Sequence, residues 1–161
     1  MHIFSLWRHS RAVLVSRICL GGFFAVAGAA KLGQPAALFA NQIKAYGIVP
    51  EGWELPMAYS LPWLELFSGA FLLVGFFSTW AAVLIEAQLV VFSAAISAAI
   101  LLGRAPEDCG CLPGVSETPA QALIRDAIMI AWLAVSIRGM PGSLSVDGWL
   151  DSDTEDMESP A

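Results

Sequence analysis

Two thiols stand one residue apart in Asp108-Cys109-Gly110-Cys111. Cysteines at that spacing can close into a small ring, and the glycine between them supplies the backbone freedom the ring needs. Such a bridge is geometrically strained, which makes it easier to reduce than an ordinary disulfide. A structural staple gains more by closing a long loop. A labile disulfide in a polar loop between apolar segments suits the passing of electrons or disulfide bonds, so Cys109 and Cys111 are read as a catalytic redox pair. Two plainer readings stay open: isolated free thiols, or half of a metal site completed by a partner. A metal site within the chain is disfavoured, because there are three cysteines and two histidines, and His2 and His9 sit in the N-terminal leader. The third cysteine, Cys19, is flanked by Ile18 and Leu20 and reads as core packing.

The second set of reactive groups is the polar residues inside apolar stretches: Arg17, Glu65, Glu86, Gln88, Arg125 and Asp126. Charge at membrane depth is expensive and normally faces a partner or a cavity. Glu65 follows Leu61-Pro62-Trp63-Leu64 and could pair with Arg17, Lys31 or Arg125. An ion pair that locks the bundle is the plain reading for both Glu65 and Glu86. The functional reading is a proton or quinone site, because reducing a quinone needs proton donors. Trp63, Glu65 and Arg125 are the candidate residues of a quinone pocket, and a quinone is the cofactor such a pocket would take. Arg125 could instead snorkel at the start of its helix, or stabilise a thiolate at Cys109 or Cys111. Trp53, Trp63, Trp80 and Trp132 fall near span ends and read as an interfacial belt.

These groups need elements to hold them, and the composition says which kind. Of 161 residues, 57% are hydrophobic and 14% charged, against about 25% charged in an ordinary soluble domain. The mean hydropathy is +0.68. The apolar residues come in long blocks, as a bilayer requires. The expected fold is all-α: an integral membrane four-helix bundle with a short interfacial amphipathic helix. Residues 1–12 form a cytoplasmic leader, 13–138 the transmembrane domain and 139–161 a disordered acidic tail. Spans are expected at 13–32, 58–77, 80–102 and 122–137, the last extending back into the loop before it. Pro35 to Tyr46, with Leu38, Phe39, Ile43 and Tyr46 on one side, gives the amphipathic helix. Glu51, Trp53, Glu54 and Pro56 make a wet connector, and Ser78-Thr79 a tight turn. The first span contains Arg17 and has no clean cleavage site, so it is read as a retained helix rather than a signal peptide, although Gly28-Ala29-Ala30 is small enough for cleavage.

The net charge of −6 owes most to the tail, since six of the fourteen acidic residues lie from Asp147 onward. That segment buries too little apolar surface to fold alone. No basic patch exists for nucleic acid. Positive charge on the two sides of the membrane is close to a tie, and the first helix favours cytoplasmic termini in the inner (plasma) membrane. The cysteine loop then faces outward.

The ordered set of motifs resembles the MauE family, the methylamine-utilisation membrane proteins of the wider DoxX-like group. The pieces are Gly28 with Lys31-Leu32, then Phe39-Ala40-Asn41 leading to Tyr46-Gly47-Ile48-Val49-Pro50, and Leu61-Pro62-Trp63-Leu64-Glu65 leading to Gly69. Asp108-Cys109-Gly110-Cys111 with Gly114 and then Arg125-Asp126 complete the set. Where the family usually reads Cys-Gly-Cys-Phe-Gly, this chain has Leu112-Pro113-Gly114 after the second cysteine, one residue more and no aromatic. The resemblance implies a four-helix inner-membrane protein with a periplasmic cysteine loop. It also implies help in maturing the disulfide-rich small subunit of methylamine dehydrogenase, alongside a thioredoxin-like partner. The layout is similar to that of the quinone-linked disulfide oxidases, by architecture alone.

The function expected is thiol–disulfide redox work on a maturing periplasmic or secreted protein. Two rivals are a non-catalytic membrane scaffold subunit and a quinone-reducing membrane subunit of a larger oxidoreductase.

Overall fold

Hydrocarbon offers backbone amides no partners, so each apolar run must satisfy its own N–H and C=O groups, and the helix does this within one segment. The computed structural model describes residues 11–106, 109, 114, 116–140, 142, 145–147 and 149. Among them are five helices and no strand. They are α1 (Arg11–Leu32), α2 (Ala36–Ala45), α3 (Glu54–Val74), α4 (Ser78–Leu101) and α5 (Pro119–Ser136), the last extended by a 3-10 turn to Gly139. Four of these, all but α2, are long and apolar enough to cross a bilayer. Their outward residues are large and apolar, among them Val26, Phe67, Val91 and Ile128, as a lipid-facing surface requires.

Two boundaries differ from expectation. Helix α3 starts four residues before the expected 58–77 and ends three residues before the end of that span, so Glu54 and Pro56 belong to it rather than to the connector. Pro56 is tolerated because it falls in the first turn, where its missing N–H is not needed. Gly75 then stops the helix in the left-handed region at φ 76°, its amide bonded to the Phe71 carbonyl at 2.9 Å. The turn is therefore Gly75-Phe76-Phe77, and Ser78-Thr79 opens α4 instead. Helix α5 does reach back into the loop, to Pro119. A reciprocal cap of Thr118 and Gln121 fixes that start, with proline in the first turn.

Helices α1 and α3 pack with their backbones nearly touching. A Cβ on Gly28 would stand 2.6 Å from the Pro62 carbonyl, and one on Gly21 2.8 Å from the Gly69 carbonyl. Small residues allow this approach where lipid gives no hydrophobic drive for association. A core of Leu20, Phe24, Leu72, Ile85, Leu89 and Leu133 joins α1, α3, α4 and α5. Trp132, expected in the interfacial belt, is part-buried here and donates its indole N–H to Ser16 Oγ at 2.7 Å.

One end of the bundle is closed by charge. Arg17, 1% exposed, opens a π-helical turn in α1 and donates to the Leu72 and Leu73 carbonyls at 3.0 and 3.2 Å. It thus satisfies the last carbonyls of α3, where a cation is also favoured by the helix dipole. Helix α4 begins after Phe77, which has φ 47° and no side-chain oxygen to cap with. The cap comes from Asp147: its carboxylate accepts from the Phe77 and Ser78 amides, each at 2.8 Å, and from Ser78 Oγ at 2.7 Å. Asp147 lies in the stretch expected to be a disordered tail, and Ser145 beside it is buried. Orphan amides at a helix start are enough to hold a passing carboxylate. Residues 150–161 of the expected tail and residues 1–10 of the leader lie outside the described residues.

Burial pushes the Asp147 carboxyl upward. The hydrogen bonds from Ser78 and Phe77 and the charge of Arg17 outweigh it and hold the group below the ordinary 3.8. Its contribution is complete above the unfolded-state value and is lost as pH falls through the folded one. Asp147→Ala should lower stability by about 1 kcal/mol at neutral pH, the usual worth of a cap. Thermal unfolding in detergent should show the gap between parent and variant closing as pH falls below about 4.

Candidate functional site

Helix α3 overhangs α1. Lys31 is the last residue but one of α1, yet it meets Glu65 in the middle of α3. Roughly 16 Å of α3, at 1.5 Å per residue from Glu54, therefore extends beyond that level. The amphipathic α2 packs on the overhang through Ala40 and Ile43 against Ala58, with Phe39, Met57 and Leu61 around them. A cavity of about 150 Å³ remains at this end of the bundle. Its walls are Phe23, Phe24 and Ala27 of α1, Phe39, Gln42 and Ile43 of α2 with Tyr46 just after it, Leu61 of α3, and Leu89, Phe92, Ala95 and Ile96 of α4. Lys31, Glu65, Arg125, Asp126 and Cys109 also line it.

Three polar groupings break the apolar wall. First, Lys31 Nζ donates to both oxygens of Glu65, at 2.7 and 2.6 Å. The two side chains are 5% and 2% exposed. Lys31 Nζ also lies 5.3 Å from the centre of the Phe39 ring. Of the three cations that the sequence offered Glu65, the fold selects Lys31; Arg17 is spent on the far end of α3. Second, Arg125 donates to Asp126 Oδ1 at 3.1 and 2.9 Å and to the Glu117 carboxylate. Its guanidinium also stands 5.4 Å from the Phe23 ring centre.

The third grouping is around Cys109, which is disulfide-bonded and 4% exposed. It packs with Ile96 and Ala122, beside Tyr46 and Leu123. Its N–H donates to the Glu117 carbonyl at 2.7 Å, so Glu117 holds Cys109 by its backbone and Arg125 by its side chain. The Tyr46 hydroxyl donates to the Cys109 carbonyl at 2.7 Å and stands 3.4 Å from Cys109 Sγ. Cys111, the other expected member of the redox pair, lies outside the described residues. Cys19 is a free thiol on the exposed side of α1, not the core residue expected, because Leu20 takes the inward position.

Of the residues read as a quinone pocket, the fold brings Glu65 and Arg125 to one cavity with Cys109 and leaves Trp63 out. Two residues along a helix is about 200° of rotation, so Trp63 and Glu65 cannot share a face. Trp63 is half exposed and stacks on Phe67 at 5.6 Å, along an outer groove with Phe71, Phe77 and Trp80. Glu86, expected to form an ion pair, has Oε2 buried without a hydrogen bond among the described residues. Gln88 and Ser68 join α4 to α3 at 3.1 Å. Tyr46 is the site residue that sequence reasoning missed as a polar group, counting only its ring as part of the apolar stripe. The signal was present: a tyrosine at the end of a buried face must find a partner for its hydroxyl.

A family model described as methylamine utilisation protein MauE matches residues 9–139. No curated protein matches the chain, and no solved structure does.

Proposed function

The chain belongs to the MauE family of methylamine utilisation proteins, and from that premise we propose that it carries out thiol–disulfide exchange at the outer face of the plasma membrane. It is a multi-pass membrane protein with four candidate spans. The observation that carries the reading is the disulfide at Cys109, set against the cavity that Glu65 and Arg125 share. With Cys19 a free thiol, Cys111 is the partner this reading takes for Cys109. The termini are cytoplasmic in this reading, and the loop faces the periplasm or cell exterior. The client is a maturing periplasmic or secreted protein, such as the disulfide-rich small subunit of methylamine dehydrogenase, and a thioredoxin-like protein is the exchange partner.

The test is to replace Cys109 and Cys111 with serine, singly and together, in cells growing on methylamine. Single variants should trap mixed disulfides with client or partner, and the double variant should leave the client reduced and incompletely matured. Normal client oxidation in the double variant overturns the exchange reading and leaves a scaffold role.

One observation supports a second role for the same cavity. Its apolar walls carry a few charged groups at one end, the make-up of a site for an apolar molecule with a polar head. A quinone fits that description and would accept the electrons. Residues Glu65 and Arg125 would meet its oxygens, with Trp63 no longer included. Filling the cavity by Ala95→Trp should abolish binding of a quinone analogue to the purified protein. Binding that survives this change removes the quinone from the scheme.

A further inference from the structure

Volume limits what the cavity can hold. At about 150 Å³ it has room for a single benzene-sized ring, whereas sites for whole organic ligands run from about 300 to 1,000 Å³. A larger ligand must continue elsewhere. A second hollow, of about 420 Å³, lies on the outer surface between α1 and α5, with Cys19 and Leu20 on one side and Ile124, Ile128 and Met129 on the other. Phe23 and Arg125 line both spaces and form the wall between them. Resting on the quinone reading of the cavity, we propose that this outer groove seats the hydrocarbon tail of a membrane quinone whose ring lies in the cavity.

The groove follows from how the two helices meet. They join around Ser16, whose Oγ accepts from the Trp132 indole at 2.7 Å and lies 2.9 Å from the Ser136 hydroxyl. Beyond that junction α1 and α5 make little further contact. The groove opens there, toward the start of α5 where Cys109 packs. From Gln121 to Trp132 its lining residues recur every three or four positions, which is one face of α5. That stretch is roughly 16 Å long, about half of the roughly 30 Å hydrocarbon core. The groove thus runs along the helix within one leaflet, the direction in which an extended chain lies.

The lining selects the occupant. Ile124 and Ile128 are largely exposed, so an apolar chain enters from lipid without passing through water. Lipid gives it no hydrophobic drive to do so; what retains the tail is packing, together with the anchored ring next door. The wall between the spaces is two side chains, with the Arg125 guanidinium 5.4 Å from the centre of the Phe23 ring, and side chains rotate without moving a helix. Charge argues against a phospholipid. The one guanidinium is shared by the carboxylates of Glu117 and Asp126, and Lys31 is taken by Glu65. That end of the site offers no excess of positive charge to a phosphate, and it admits a neutral ring.

Purified full-length protein in detergent separates this proposal from the quinone reading beneath it. Two probes are compared: a fully substituted benzoquinone, and the same ring carrying a tail of several isoprene units. The parent should bind the tailed form about tenfold more tightly, a difference of about 1.4 kcal/mol. Cys19 gives a second readout, because it is a free thiol on the groove. Its alkylation by N-ethylmaleimide should slow when the tailed form is bound and stay unchanged with the tailless one. Ile128→Trp fills the groove from a lipid-facing position. It should bring the tailed form down to the affinity of the tailless one, with the unfolding temperature of the parent. Val90→Trp, at an exposed apolar position on α4 outside both spaces, should keep the preference. Equal binding of the two forms by the parent, with Cys19 alkylated at one rate, overturns the groove and leaves the ring in the cavity. Binding of neither form removes the quinone, and this proposal with it. Slowing of Cys19 alkylation by a phospholipid alone assigns the groove to a structural lipid and likewise overturns the proposal.

Discussion

Glu65→Leu should destabilise the bundle by about 3–5 kcal/mol, the cost of leaving one buried charge without its partner. Both oxygens of Glu65 are engaged by Lys31, and the pair is almost wholly out of contact with the surroundings. Removing the carboxylate leaves a buried ammonium group without the acceptor that holds it, 5.3 Å from the centre of the Phe39 ring. The decisive comparison is the double variant Lys31→Met with Glu65→Leu. Replacing a whole buried pair by apolar side chains of similar volume is neutral or stabilising, by up to about 4 kcal/mol. Unfolding in detergent should therefore rank the double variant at or above the parent and the single variant far below it. A single variant as stable as the parent would mean that the pair is not desolvated as its geometry implies. The double variant also separates structure from function. If it folds well and still matures the client, the ion pair is a lock between α1 and α3. If it folds well and fails, the pair belongs to the chemistry of the cavity.

The second large effect is expected at the contact between α1 and α3, and it discriminates between neighbouring glycines. Gly21 and Gly22 are adjacent in the sequence, but only Gly21 faces α3. An added Cβ there would stand 2.8 Å from the Gly69 carbonyl and 2.9 Å from the Leu73 amide nitrogen. On Gly22 it would find only Leu73 Cδ1, at 3.9 Å. The obstruction at Gly21 is backbone, which cannot rotate away, so the helices must separate. Gly21→Ala should cost about 3 kcal/mol, the upper end for overpacking. Gly22→Ala should be neutral or stabilising by up to about 1 kcal/mol, since alanine is the better helix former. Gly28→Ala and Gly69→Ala should behave like Gly21→Ala, because their added carbons also meet backbone, of Pro62 and Leu66 and of Gly21 and Ala25 respectively. Separation of α1 from α3 would also pull Lys31 from Glu65. The glycine variants should therefore lose cavity function together with stability, whereas Gly22→Ala should keep both.

The amino-acid sequence by itself determined the solvent and the class of architecture. Long apolar blocks interrupted by turn residues leave a membrane bundle of four helices as their physical solution, and the spacing of Phe39, Ile43 and Tyr46 marks α2 as amphipathic. The pairing of Glu65 with some cation was legible too, because an isolated charge at that depth is too costly to keep. Which cation, however, depended on how far α3 overhangs α1, and glycine contacts between distant segments set that offset. Tertiary structure alone also moved Trp63 out of the cavity, a consequence of rotation that sequence proximity to Glu65 conceals. It turned Asp147 from a tail residue into the cap of α4, because capping depends on which carboxylate passes an open helix start and not on sequence separation. The burial of Cys109 beneath Tyr46 was likewise invisible in the spacing of the two cysteines. That spacing says two sulfurs can meet; only packing against Ile96, Ala122 and Tyr46 buries Cys109.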